Sequence, residues 1–230
     1  TGSLCIEDVK KKITSKTKAI FHNHFCGYLG DITAINQLAK ENGIWVVDDC
    51  IEAFASEYQN HKAGNLGADL TVFSFQTVRL PNTVDGAGIS FQSKELYEKA
   101  ILMRDYGIDR KEFRLANGEI NPNCDIKLEG YGATLSEINS YIGFKQMQNL
   151  PSLIDKQRSN ALDWDQKIQE TSSVQSLRAM SGTLPNYWVY GVLCNDKEKS
   201  LQDFRAQGFY ATGVHINNNI YSVFNDFENL

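Results

Sequence analysis

Ile44-Trp45-Val46-Val47-Asp48-Asp49-Cys50-Ile51-Glu52 is a short β-branched and aromatic run that stops on two adjacent carboxylates. A run this short, with no polar alternation, marks a central strand of a parallel sheet, because helices packed on both faces leave no side for polar residues. Ahead of it, Asp31 can cap a helix that carries Ile32, Ile35, Leu38 and Ala39 on one face and stops at Asn42-Gly43. Lys18 to Phe25 reads as a further buried strand, and Ile6 to Ile13 as an amphipathic helix. Downstream, Leu70 to Phe75 follows a glycine-rich turn at Gly64 to Gly67, Ala87 to Phe91 is another strand candidate, and helix returns from Glu95 to Arg104. Strands alternating with helix-length crossovers predict an α/β fold with a mainly parallel sheet flanked by helices. Ligands of such sheets sit at the carboxyl ends of the strands. That places His24, Asp48, Asp49 and the segment after Phe75 on the functional edge.

The second half changes character. Ile108 to Tyr131 is a long polar loop, and Thr134-Leu135-Ser136-Glu137 has the form of a capping box opening a long helix. Pro151 suits the first turn of a further helix running toward Thr171. A strand over Tyr187 to Leu193 and a helix over Lys199 to Gln207 then predict part of a smaller α+β C-terminal domain. The expected division is 1–150 for the large domain and 151–230 for a linker helix and partial small domain. Thr1-Gly2-Ser3 and Asn229-Leu230 read as cuts through a longer protein.

Composition narrows the partners. The 230 residues are 42% hydrophobic and 22% charged with a net charge of −5, an ordinary globular balance. No basic stripe is present, which argues against nucleic acid, and no run is long enough for a membrane span. Cys5, Cys26, Cys50, Cys124 and Cys194 are scattered and odd in number, without a Cys-x-x-Cys pair. That argues against a disulfide framework or a zinc site and for a reducing cytoplasm.

Three clusters carry chemistry. A carboxylate at the end of a buried strand, as at Asp49, is costly unless it meets a cation. A protonated pyridinium nitrogen is one such cation; a helix cap or a structural ion pair is the plainer alternative. Ser74, in Phe73-Ser74-Phe75-Gln76-Thr77-Val78-Arg79, offers a hydroxyl just past a strand, suited to a phosphate or to a turn. Arg79 is either an anion clamp or a surface arginine. Asp85-Gly86-Ala87-Gly88 precedes a strand and marks a tight backbone approach, not a nucleotide fingerprint. His22 and His24 share one strand face, but no third metal ligand is in reach along the sequence. The favoured reading there is core or site-lining histidine, with no metal.

Taken together, these clusters resemble the DegT/DnrJ/EryC1/StrS family of sugar aminotransferases. The resemblance rests on the stretches KTKAIFHNHFCGYLGDITAINQLAKENGIWVVDDCIEAFAS, GADLTVFSFQTVRLPNTVDGAGISF, LMRDYGIDR and EGYGATLSEINSYIGFKQM, in that order. It implies a fold-type I transferase with pyridoxal phosphate as cofactor, a nucleotide-linked keto-sugar and an amino acid donor as substrates, and a homodimer. By resemblance, Asp49 matches the aspartate at the pyridinium nitrogen and Ser74 the serine that holds the phosphate. Glu52 stands where a Gln or His usually lies near the phenolic oxygen. His24 lies in the segment bordering the substrate site, and Glu137 matches a glutamate at the start of the long helix.

The departures concern catalysis. The family's Schiff-base lysine falls five residues after the serine, where this chain has Arg79. A guanidinium stays protonated and makes a poor nucleophile and a poor proton shuttle. Gly132 and Thr134 replace the asparagine and arginine that follow Gly-Tyr. The family's N-terminal part, with a Gly-Thr turn for the phosphate and an aromatic stacked on the ring, has no counterpart here. The resemblance thus implies a lineage member impaired or inactive in transamination; a noncatalytic binding or dimer-partner homologue and a sugar dehydratase are the alternatives.

Overall fold

A computed structural model of the chain describes residues 2–169, 174–213, 215–216 and 218–227. The expected helix end near Thr171 and the Thr1 and Asn229-Leu230 termini lie outside the described residues. The elements run α1 (Ile6–Lys12), β1 (Ala19–Asn23), α2 (Ile32–Asn42), β2 (Trp45–Asp49), β3 (Glu57–Tyr58), β4 (His61–Lys62), β5 (Leu70–Ser74), β6 (Ala87–Phe91), α3 (Lys94–Arg104) and α4 (Glu137–Gln169). After α4 come β7 (Val174–Ser176), β8 (Thr183–Leu184), β9 (Val192–Cys194) and α5 (Lys197–Ala206).

The main sheet has the order β1-β2-β5-β6, with β1, β2 and β5 parallel and β6 antiparallel to β5. Its register sets the rest of the architecture. Ile20 stands opposite Val46, His22 opposite Asp48, and Asn23 opposite Asp49. Because side chains alternate along a strand, Ile20, His22, Val46 and Asp48 point to one face and Phe21, Asn23, Trp45 and Asp49 to the other. Helix α2 covers the first face. Asp31 Oδ1 accepts the Ala34 N–H at 3.0 Å, and Gly43 closes the helix at φ 64°, a left-handed conformation that glycine adopts without penalty. Between these caps Ile32, Ile35 and Ala39 pack on Ile20, Val46 and Ala68 to form the main core. Each large side chain buried there stabilises the fold by roughly 2 kcal/mol.

The structure revises the second half. The long helix starts at Glu137, and the cap is Ser136, whose Oγ accepts the Asn139 N–H at 3.1 Å. Thr134 is exposed and lies outside the helix, because Ser136 is the hydroxyl adjoining the first turn. Pro151 opens no new helix; it sits inside α4. The missing N–H costs one intrahelical bond. A single apolar face continues through it, with Leu150, Ile154, Ala161 and Ile168 all buried, and that packing carries the helix across. The expected 150/151 boundary therefore falls within a helix. The strand expected over Tyr187 to Leu193 shrinks to Val192–Cys194. Tyr187 takes φ 53°, and Asn186 and Trp188 are diverted into side-chain contacts described below. The loop from Ile108 to Tyr131 is irregular apart from a bridge between Arg114 and Ile120.

Candidate active site

The two neighbouring aspartates at the end of β2 face opposite sides of the sheet and serve different networks. Asp49 lies on the face away from α2. Its Oδ2 accepts from Asn23 Nδ2 at 2.8 Å and its Oδ1 from the Ile51 N–H at 3.1 Å. On β5, Val72 pairs with Asp49, and Ser74 follows two residues later on the same face at the strand's carboxyl end. Ser74 Oγ accepts the Gln76 N–H at 3.3 Å and keeps its own proton free to donate. An anionic carboxylate and a donating hydroxyl thus stand on one face at the ends of adjacent strands.

Asp48 turns the other way. Its Oδ1 lies 2.9 Å from His24 Nε2 and 3.3 Å from His22 Nδ1, with all three side chains fully buried. Its Oδ2 receives the Cys50 thiol at 3.4 Å. Burial pushes the carboxyl pKa up, the two imidazoles pull it down more strongly, and it settles from 3.8 to about 2. Tertiary structure thus supplies the third donor missing from the sequence around His22 and His24: donor atoms of the three residues lie within 4.8 Å of one another. The tautomer decides what the cluster does. Gly30 N–H donates to His24 Nδ1 at 3.0 Å, so the neutral ring carries its proton on Nε2, toward Asp48. A metal would need the lone pair on that nitrogen. The two imidazole contacts to Asp48 Oδ1 are close but fall outside hydrogen-bond geometry, so the cluster is a buried electrostatic contact around a carboxylate. The His24 imidazole is fully buried, and it is the backbone of its segment, at Cys26, that meets Glu52.

On the next turn of the chain Glu52 is 7% exposed. Its Oε2 accepts the Cys26 N–H at 2.7 Å and its Oε1 faces Arg79 Nη1 at 3.2 Å. Arg79, expected as an anion clamp or a surface arginine, is an ion-pair partner of Glu52. The Arg79 guanidinium also lies 4.2 Å from the centre of the Trp188 ring. Trp188 Nε1 donates to the Val78 carbonyl at 2.9 Å, fixing the indole over the turn that carries Arg79.

Sequence reading missed Trp188, Asn186 and Asn23. Asn186 is the clamp that delivers Trp188. Its Nδ2 donates to the Glu52 and Phe54 carbonyls at 2.8 and 2.9 Å, and its Oδ1 accepts the Trp188 N–H. It crosses directly over Gly27, where a Cβ would fall 1.8 Å from Asn186 Oδ1, so only glycine admits the contact. The one available signal was local: Pro185-Asn186-Tyr187-Trp188 is a turn-forming pair followed by two aromatics. Glu137, Gly132 and Thr134 are exposed, and Leu135 between them packs against Gly86. Gly132 bridges to Asp105, and a Cβ there would meet the Tyr106 hydroxyl at 2.1 Å.

Fold and site together define a transferase-type α/β domain whose carboxylate and hydroxyl lie at adjacent strand ends. Residues 1–226 match the DegT/DnrJ/EryC1/StrS aminotransferase family, and the chain belongs to it. It is 27% identical over 206 residues to a UDP-4-amino-4,6-dideoxy-N-acetyl-beta-L-altrosamine transaminase of Helicobacter pylori, covering 90% of this chain and 52% of that protein. It is likewise 27% identical over 199 residues to a GDP-perosamine synthase of Escherichia coli O157:H7, covering 86% and 51%. The solved structure of AtS13 from Actinomadura melliaura superposes with a TM-score of 0.88 at 26% identity, covering 98% of this chain and 61% of that one. The chain thus spans about half the length of these sequence relatives. Among the described residues no helix is long and apolar enough to cross a membrane.

Proposed function

We propose that this chain carries a nucleotide-sugar aminotransferase-type site that holds pyridoxal phosphate without covalent attachment and is impaired or inactive in transamination. The observation that carries this is the Arg79 guanidinium, held between Glu52 and Trp188, at the position where the resemblance implies a lysine. The donor set fits the cofactor in part. Asp49 offers a carboxylate for the ring nitrogen and Ser74 a hydroxyl for the phosphate, and among the described residues no lysine is a hydrogen-bond partner of either. When bound, pyridoxal phosphate supplies an electron sink. The chain's own residues orient and solvate it; a guanidinium held in an ion pair neither condenses with a carbonyl nor shuttles a proton. The dehydratase reading is weakened for the same reason.

The expected ligands are a nucleotide-linked keto-sugar and an amino acid donor, consistent with the transaminase and synthase named above. A homodimer is part of this reading. What supports it is the exposed apolar ridge of Ile138, Tyr141 and Phe144 on α4, each more than 60% exposed. Cytoplasmic residence accords with five free cysteines.

The test is a pyridoxal-phosphate titration followed by borohydride reduction and mass analysis. A saturable absorbance shift without an adduct supports the proposal; a lysine fixed by reduction overturns it. A noncatalytic homologue is the second reading, favoured by the Glu52 carboxylate, both of whose oxygens already have partners. No binding at all decides for it.

A further inference from the structure

Asn23 sits at the end of β1, directly opposite Asp49 in the parallel register, and gives its amide N–H to Asp49 Oδ2 at 2.8 Å. The other carboxylate oxygen takes the Ile51 N–H. One donor on each oxygen stops the carboxylate from rotating and fixes the direction of its remaining lone pairs. Each oxygen still has a lone pair for a further donor. Asp49 itself is 6% exposed and lacks an arginine, lysine or histidine partner, so its charge is held by these two N–H groups alone among the described contacts. That differs from Asp48, one residue away, which is clasped by two histidines. A buried carboxylate that is oriented and has no cationic side chain against it among the described contacts is placed to receive a cation.

We infer that Asn23 is a positioning residue that aims Asp49 at a protonated ring nitrogen. The inference rests on the proposed cofactor reading and deepens it. Asn23 acts through Asp49, so its effect must depend on the ligand having that nitrogen. A role confined to strand packing has no such dependence.

The experiment uses the full chain and two probes: pyridoxal phosphate and its 1-deaza analogue, in which the ring nitrogen is replaced by CH. Asn23→Leu keeps the volume and removes the donor; Asn23→Ser restores a shorter hydroxyl donor. The expected result is about a tenfold loss of affinity for pyridoxal phosphate in Asn23→Leu, from the loss of one charge-assisted bond. Affinity for the deaza analogue should be unchanged, with partial recovery in Asn23→Ser. Equal losses for both probes, or none for either, overturn the inference while leaving cofactor binding intact. Failure of the unsubstituted chain to bind either probe overturns both the inference and the cofactor reading. Should Asn23→Leu fail to fold, Asn23→Ser carries the test: its ratio of affinities for the two probes must fall below that of the unsubstituted chain, and an unchanged ratio overturns the inference.

Discussion

Arg79 and Trp188 are stacked with the guanidinium carbon 4.2 Å from the ring centre, and Glu52 closes the third side of the arrangement. The arginine therefore does not swing freely. Glu52→Gln removes the anion from a pair whose side chains are 14% and 7% exposed. Leaving Arg79 buried and unpaired should cost about 2–4 kcal/mol in urea unfolding. Trp188→Ala should cost less for the lost cation–π contact, about 1–2 kcal/mol, plus the indole's packing.

Arg79→Lys alone should not restore efficient transamination with a glutamate donor and a keto-sugar acceptor. A new ammonium at this position meets Glu52 Oε1, which favours its protonated and non-nucleophilic form. Gly132 adds a second obstacle, because it stands where the resemblance implies an asparagine. Steady-state turnover of the single variant near that of an active family member would sink the view that the site has changed beyond one residue.

Asn186 should be a stability hot spot despite lying in a loop. It is 3% exposed and satisfies two backbone carbonyls and one backbone N–H. Asn186→Ala should destabilise the chain by about 2–3 kcal/mol, because buried carbonyls lose their donors. The same variant should loosen Trp188, visible as a red-shifted tryptophan emission.

Thiol reactivity should separate the cysteines. Burial, with help from the Glu52 charge, pushes the Cys26 thiol up to about 12, and burial with Asp48 raises Cys50 well above its ordinary range. Cys5 is exposed. Iodoacetamide at about pH 8 should label Cys5 rapidly and spare Cys26 and Cys50 in the folded chain, as read by peptide mass analysis.

Tyr190 should give an alkaline signature. Burial first, then the hydrogen-bonded Asp165, raises its hydroxyl from 10.0 to about 12. A group whose folded pKa is raised stabilises the fold below its unfolded value. The contribution of Tyr190 is therefore complete below about pH 10 and lost as pH rises toward 12. Tyr190→Phe should flatten that part of the stability profile measured by thermal melting.

Much of the large domain was legible along the chain. The β-branched run ending at Asp48-Asp49, the Asp31 cap and the Asn42-Gly43 stop all correspond to observed elements, because each depends on neighbours within one turn or one strand. Pro151 and the Thr134 box misled for the opposite reason. Whether a helix crosses a proline or starts two residues later depends on what its apolar face packs against, and that is not local information.

What the sequence by itself determined is the α/β layer, the family and the presence of an arginine where a lysine is expected. Only the tertiary structure decided how those residues are used. Strand alternation sends Asp48 to the histidines and Asp49 to Asn23, though the two are adjacent in the chain. Packing of the Asn186 loop over Gly27 brings Trp188 onto Arg79 and commits the guanidinium to Glu52. Partner choice among charged groups is a matter of distance and burial, and both are properties of the folded chain.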